Sequence, residues 1–217
     1  MSQILEYSFK KEVADPLSKH HMPAGTSDRF AFRLTKLLRF FADHFFAKRY
    51  GHRAVVLETV AAVPGMVAGM VRHMRSLRRM KDDREAIHTL LEEAENERMH
   101  LMTFIKIAQP SLFERWLIIL AQGFFFASFF ILYVVSGRTA HRLVGYFEEE
   151  AVYSYTEYLA AVDSGLLENV PAPDIAIDYW NLPKDARLRD VIIVVRQDEA
   201  GHRDANHQFA NNYDQES

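Results

Sequence analysis

Glu97 and His100 stand three residues apart, and about a hundred residues later Glu199 and His202 repeat that spacing. On an α-helix, a carboxylate and an imidazole so spaced lie one turn apart on the same face and can aim at one point. Two such pairs, with one inward glutamate from each of two further helices, make up the ligand set of the di-iron carboxylate bundles. A single Glu-x-x-His is weak evidence. Glu85 and His88 form a third copy, but acids in the first turns of a helix are most simply start residues that complement its dipole.

Two isolated acids complete the set. Glu58 lies on a stripe with Ala54, Ala61, Ala62, Gly65 and Gly69, and the small residues around it favour close helix packing. A carboxylate buried there without a partner costs several kcal/mol or must protonate, unless a cation lies across the interface. Glu148 shares a face with His141, Val144, Ala151, Val152, Tyr155, Leu159 and Val162, which turns its neighbours Glu149 and Glu150 toward solvent or toward partners. Glu93 is close enough to Glu97 to compete as a ligand. Four carboxylates and two imidazoles, Glu58, Glu97, His100, Glu148, Glu199 and His202, suit two iron or manganese ions. Tyr155, two turns from Glu148, is either a packed core residue with a satisfied hydroxyl or a redox group.

The periodicity predicts helices at about 29–50, 52–80, 82–109, 111–136, 139–164 and 186–212, with Ser27 or Asp28 capping the first. The predicted class is all-α, a ferritin-like four-helix bundle with two additional membrane-surface helices. Residues 1–27 read as an extended arm that straps onto a partner or hangs free, 28–212 as one helical domain, and 213–217 as a tail. Residues 165–185, with three prolines and Asp178-Tyr179-Trp180, read as a long connection that must dock on something.

The first helix combines Phe30, Leu37, Leu38, Phe41 and Phe45 with Arg29, Arg33, Lys36 and Arg39. That pattern suits a membrane surface, or equally a core helix with a solvated basic face. The segment from Trp116 to Gly137 carries no charge and is long enough to span a bilayer. At about 1.5 Å per residue, however, Glu97, His100 and Glu148 reach nearly one height along it. Spanning would therefore draw the acid-rich third and fifth helices on its flanks into hydrocarbon, at a few kcal/mol per charge. The segment is expected in the interface or core, which makes the protein monotopic.

With 217 residues, 49% of them hydrophobic, the chain has enough apolar content for one substantial core. It contains no cysteine, which excludes disulfides, thiolate-held metals and thiol regulation. A net charge of −3 argues against nucleic acid as a partner. Glu6, Glu12 and Asp15 with no apolar run read as neither a secretory signal nor a transit peptide, so an organellar protein of this sequence would have lost its leader.

Four stretches carry a resemblance to a known family: Leu57 to Met66 (LETVAAVPGM), Leu91 to Met102 (LEEAENERMHLM), Tyr146 to Ala151 (YFEEEA) and Arg196 to Arg203 (RQDEAGHR). Over roughly residues 28–210 the chain resembles the alternative oxidases. The resemblance implies a homodimeric, monotopic inner-membrane protein with two iron ions that oxidises ubiquinol and reduces O2 to water without pumping protons. It would face the matrix in a mitochondrion or the cytoplasm in a bacterium. The same resemblance places the family's ligands on the six residues named above and its redox-active tyrosine on Tyr155. Around the ligands it sets Asn96, Arg98, His141, Tyr179, Trp180 and Asp198, and it puts the quinol pocket near Arg53, Leu57 and Ala151. The chain departs from the family in lacking regulatory cysteines, so no thiol or keto-acid control is expected. It also carries Gly201 where many members have a second histidine. Two rival readings are another di-iron enzyme, such as a ferroxidase or quinone-ring hydroxylase, and a non-enzymatic membrane scaffold.

Overall fold

A computed structural model of the chain describes residues 16–46, 49–83 and 85–216. Most of the arm expected over 1–27 lies outside them. A 3-10 turn (Pro16–Ser18) precedes seven α-helices: α1 (Thr26–Phe46), α2 (Tyr50–Arg79), α3 (Ala86–Ala108), α4 (Leu112–Val135), α5 (Gly137–Asp163), α6 (Asp174–Trp180) and α7 (Leu188–Glu216). Among the described residues there is no strand, and a lone bridge joins Pro171 to Arg187.

The bundle is two helix pairs, α2 with α3 and α5 with α7, with α4 laid against α2 and α5 and α1 against α5. Glycines set the closeness of both pairs. A Cβ at Gly65 would collide with the Leu90 carbonyl of α3, and one at Gly145 would come within 2.5 Å of the His207 ring of α7. One cluster of the core gathers Val55, Phe104, Tyr155, Val191, Ile192 and Val195 at one end of the bundle, and a second gathers Val67, Leu90, Tyr133 and Val144 at the other.

The apolar sides of α1 and α4 face away from this core. α1 meets α5 through Ala31, packed with Leu143 and Tyr146, and leaves Phe30, Leu37, Phe40, Phe41 and Phe45 exposed. α4 buries Phe129 and Tyr133 and exposes Phe113, Trp116, Leu120, Phe124, Ile131 and Val135. Among the described residues two helices, α2 and α4, are long and apolar enough to cross a membrane; α2 has 56% of its most apolar window inside the protein and α4 has 11%. The neighbour of α4 is α2 rather than the acid-rich α3 expected from helix heights, because α3 lies on the far side of α2.

Several boundaries differ from expectation. α1 begins at Thr26, and Asp28 is not its cap: its carboxylate accepts from the Ala24 amide at 3.2 Å and lies buried against Arg142, with 3.1 Å from Nε to Oδ1. The connection 165–185 contains α6, docked on α3, so its tyrosine and tryptophan are held by a helix. The expected tail lies largely within α7, which continues to Glu216. The described part of the arm straps onto its own chain. His20 and the His21 amide meet Glu149 of α5, and Arg203 of α7 donates to the Leu17 carbonyl. The acids beside Glu148 are paired, Glu149 with His20 and His207 and Glu150 with Lys36 and Arg39 of α1.

Candidate metal centre

α2 contributes Glu58, α3 Glu97 and His100, α5 Glu148, and α7 Glu199 and His202. Their side chains converge at the centre of the bundle as two overlapping groups. In one, ligand atoms of Glu58, Glu97, His100 and Glu199 all lie within 4.8 Å of one another; in the other, those of Glu97, Glu148, Glu199 and His202 do. Glu97 and Glu199 belong to both. Two overlapping groups that share Glu97 and Glu199 would hold two adjacent cations.

Contacts inside the cluster are close. His100 Nδ1 lies 3.4 Å from Glu58, 3.3 Å from Glu97 and 3.3 Å from Glu199, and His202 Nδ1 lies 2.7 Å from Glu97. Yet His100 Nδ1, His202 Nδ1, both oxygens of Glu97, and one oxygen each of Glu58 and Glu199 are buried without a properly oriented hydrogen bond. Proximity without hydrogen-bond alignment, among buried polar atoms, is an arrangement that cations resolve and that a folded chain otherwise avoids.

The electrostatics agree. Burial, followed by the charges of Glu199 and Glu97, drives the carboxyls of Glu58 and Glu148 well above the usual range. Glu97 goes the other way: burial opposes its ionisation, but His100 and His202 outweigh burial and hold it well below. Burial works against a charge on the two imidazoles as well, and the surrounding carboxylates overcome it, raising His100 well above its ordinary value and His202 to about 9. Without cations the cluster must hold protons to limit its negative charge; two divalent cations would balance four carboxylates outright. The hard oxygen and imidazole donors suit iron or manganese.

Around the far nitrogen of His100 the chain builds a hydrogen-bonded brace. His100 Nε2 faces Asp198 at 3.3 Å, and Asp198 accepts from Trp180 Nε1 at 2.8 Å and Asn96 Nδ2 at 3.0 Å. Asn96 also donates to the Tyr179 hydroxyl, and the Trp180 ring stacks on His100 with centroids 5.7 Å apart. Four of the six residues expected around the ligands thus meet at one point, carried there by α3, α6 and α7. His141 stands further off, its Nδ1 3.0 Å from Asn206 and its Nε2 3.3 Å from the Tyr133 hydroxyl. Burial lowers its pKa to about 3. Arg98 is outside the brace and corrects the expectation. It forms a two-pronged pair with Glu95 on the surface, at 2.7 and 2.6 Å. One residue past Glu97 the helix has turned by about 100°, which carries that side chain out of the bundle.

Tyr155 is buried, stacks on Phe104 and donates its hydroxyl hydrogen to Glu58. Burial and the neighbouring carboxylates raise its pKa well above the ordinary phenol value. Glu85 and His88 do not join the cluster; His88 pairs with Glu92 on the exposed face of α3.

An apolar cavity of about 270 Å³ between α1, α2, α4 and α5 is lined by Arg53, Leu57 and Ala151 and reaches Glu58, Glu148 and Glu199. Arg53 is buried in its wall and paired with Asp43 of α1.

Two pairings escaped the sequence reading, those of Asn206 and of Arg142. Asn206 links His141 to Glu93, donating to Glu93 at 2.7 Å and to the His202 carbonyl at 3.0 Å. Its position on the inward stripe of α7 was the available signal. Glu93, close enough in sequence to compete as a ligand, is buried, and burial raises its pKa to about 7. Arg142 is buried on α5 among Asp28, His207 and Asn211, a grouping that no spacing in the sequence announces.

Comparison with known proteins converges on the same reading. The alternative oxidase family model matches residues 9–211. The chain is 59% identical over 200 residues to a soybean (Glycine max) protein named "Ubiquinol oxidase 2, mitochondrial", covering 92% of this chain and 60% of that protein. It is 58% identical to a mango (Mangifera indica) protein named "Ubiquinol oxidase, mitochondrial", covering 92% and 63%. A protein of that same name from the fungus Batrachochytrium dendrobatidis is 60% identical over 191 residues, covering 88% and 60%. The chain thus spans about three-fifths of the length of these relatives. With the match running through every helix that carries the Glu/His cluster, the chain belongs to the alternative oxidase family.

Proposed function

We propose that this protein is a terminal quinol oxidase, oxidising ubiquinol and reducing O2 to water at two iron ions without pumping protons. The observation that carries the reading is the apolar cavity. It lies beneath the outward-facing apolar helices α1 and α4 and ends on three carboxylates of the cluster. A lipid-soluble two-electron donor entering from a membrane surface would meet the metal ligands directly. A soluble ferroxidase would have no use for such a cavity.

Glu58, Glu97, His100, Glu148, Glu199 and His202 would hold the iron, which when bound supplies the electron exchange between quinol and O2. The other roles belong to the chain. Arg53, fixed by Asp43, places a cation in the cavity wall where a quinol oxygen can be oriented. Leu57 and Ala151 shape the apolar part of that wall. Tyr155, hydrogen-bonded to Glu58, stands where it can lend an electron and a proton to the reaction. Asp198, Asn96, Trp180 and Tyr179 fix the orientation of His100. Each quinol yields two electrons and two protons, so two quinols are consumed for each O2 converted to two waters.

We further place the protein monotopically on an inner membrane, on the matrix face in a mitochondrion or the cytoplasmic face in a bacterium, seated by the exposed faces of α1 and α4. The relatives' names place those proteins in mitochondria. A homodimer is supported by a second exposed apolar strip, Met66, Met70, Met74 and Leu77 on α2 with Leu91 on α3.

The test is anaerobic reconstitution with ferrous iron followed by O2 uptake on a ubiquinol analogue. About two irons per chain and quinol-dependent O2 consumption are expected. Full iron loading with no quinol-dependent uptake would refute the oxidase, and hydroxylated quinone as product would replace it with the hydroxylase reading. Tyr155→Phe should retain iron and lose most turnover.

A further inference from the structure

A second opening reaches the Glu/His cluster from the side opposite the apolar cavity. It is a groove of about 740 Å³ between α3 and α7, flanked by Tyr179 of α6. Four of its lining residues are acids, Glu92, Glu93, Glu95 and Asp198, and none is lysine or arginine. At the rim Glu92 and Glu95 are exposed, Glu92 beside His88 and Glu95 paired with Arg98. At the inner end stands His202, whose side chain is 13% exposed while those of Glu97, His100 and Glu199 are at most 2% exposed.

Glu93 lies between rim and ligand. It is more than nine-tenths buried; Asn206 holds one of its oxygens at 2.7 Å, and the other has no hydrogen-bond partner. Asn206 Nδ2 also donates to the His202 carbonyl, so Glu93 is tied to the helix turn that bears the ligand. Beside it Gly201 leaves the groove open, since a Cβ there would meet nothing within 4 Å.

A hydrated dication cannot shed its water cheaply in the apolar cavity, whereas a groove lined by carboxylates attracts it and replaces its water stepwise. We propose that the acidic groove between α3 and α7 is the loading port through which ferrous iron reaches the cluster, with the free Glu93 oxygen as a transfer ligand that passes the ion to His202. This rests on the reading of the cluster as a metal centre.

The test follows the rate of iron acquisition by the full chain. Iron is removed with a chelator under reducing, anaerobic conditions, ferrous iron alone is added, and chelator-resistant iron is measured over time. Three variants are compared with the wild type: Glu92→Gln with Glu95→Gln at the rim, Gly201→Phe as a plug, and Glu93→Gln. All should reach the wild-type iron content, with rates lower by roughly tenfold or more. Rising salt should slow the wild type more than the rim variant. Wild-type loading rates in both the rim and plug variants would overturn the port while leaving the centre standing. A lower final iron content in Glu93→Gln would make Glu93 a resident ligand and overturn its transfer role. A wild-type chain that never retains iron would overturn the centre, and the port with it.

Discussion

Replacing Gly65 with alanine tests whether helix closeness sets the metal site. A Cβ at that position collides with the Leu90 carbonyl and lies 3.1 Å from the Ala94 Cβ and 3.2 Å from the Ala94 amide nitrogen. Two of these neighbours are backbone, so no rotamer change relieves them. α2 and α3 must separate by roughly 1 Å to regain ordinary van der Waals distances. Overpacking of this kind costs about 1–3 kcal/mol, against about 1 kcal/mol gained from alanine's helix propensity. The net loss of up to about 2 kcal/mol lowers the melting temperature by up to about 8 °C for a chain of this size. The functional effect should exceed the thermal one. Glu58 lies two turns from Gly65 on α2 while Glu97 lies on α3, so the separation opens the ligand set itself, and a displacement of about 1 Å can cost about a hundredfold in rate. The assays are a circular-dichroism melt, iron content per chain and quinol-dependent O2 uptake. Gly201→Ala, on a helix where the added Cβ meets nothing, should melt at or slightly above the wild type. A Gly65→Ala protein that melts no lower than wild type and keeps full iron and turnover would refute the argument.

Asp28→Asn leaves buried Arg142 without its carboxylate partner and should cost about 3–5 kcal/mol in a denaturant titration. Burial opposes ionisation of Asp28, but the Ala24 amide and Arg142 outweigh it and lower its pKa. Its contribution is therefore present above the unfolded carboxylate value and lost as pH falls through the folded one; the wild type should lose more stability on acidification than Asp28→Asn, and equal slopes would refute the assignment. Asp198→Ala removes the acceptor shared by His100, Trp180 and Asn96. It should weaken iron retention about 10–100-fold in chelator competition with little change in fold, and unchanged retention would refute the brace. Glu at both Leu120 and Phe124 on the outer face of α4 should abolish sedimentation with lipid vesicles while preserving iron content; persistent co-sedimentation would remove α4 from the membrane-binding surface.

The sequence alone determined the six long helices and pointed six side chains to one place, while the short α6 went unread. Glu-x-x-His works as a local rule because helix pitch fixes which residues share a face, and small or apolar neighbours mark that face as inward. Glu58 and Glu148 were legible for the same reason. Periodicity also set the limits of what could be read. It left the phenylalanine face of α1 open between core and membrane; packing turned that face away from the core, because Ala31 packs on Leu143 and Tyr146 of α5 and the larger side chains point outward. The family resemblance, not periodicity, set Arg98 around the ligands, while the actual rotation of α3 sends it to Glu95.

What only the tertiary structure decided are the pairings between helices distant in sequence. Arg142 with Asp28, Asn206 bridging His141 and Glu93, and Glu149 holding the arm all join residues whose separation along the chain carries no signal. Buried charges choose partners by three-dimensional proximity and desolvation, neither of which a one-dimensional pattern contains. The two openings onto the cluster have the same origin. One is apolar and the other acidic because different helix faces happen to border each gap, and those borders exist only once the helices are packed.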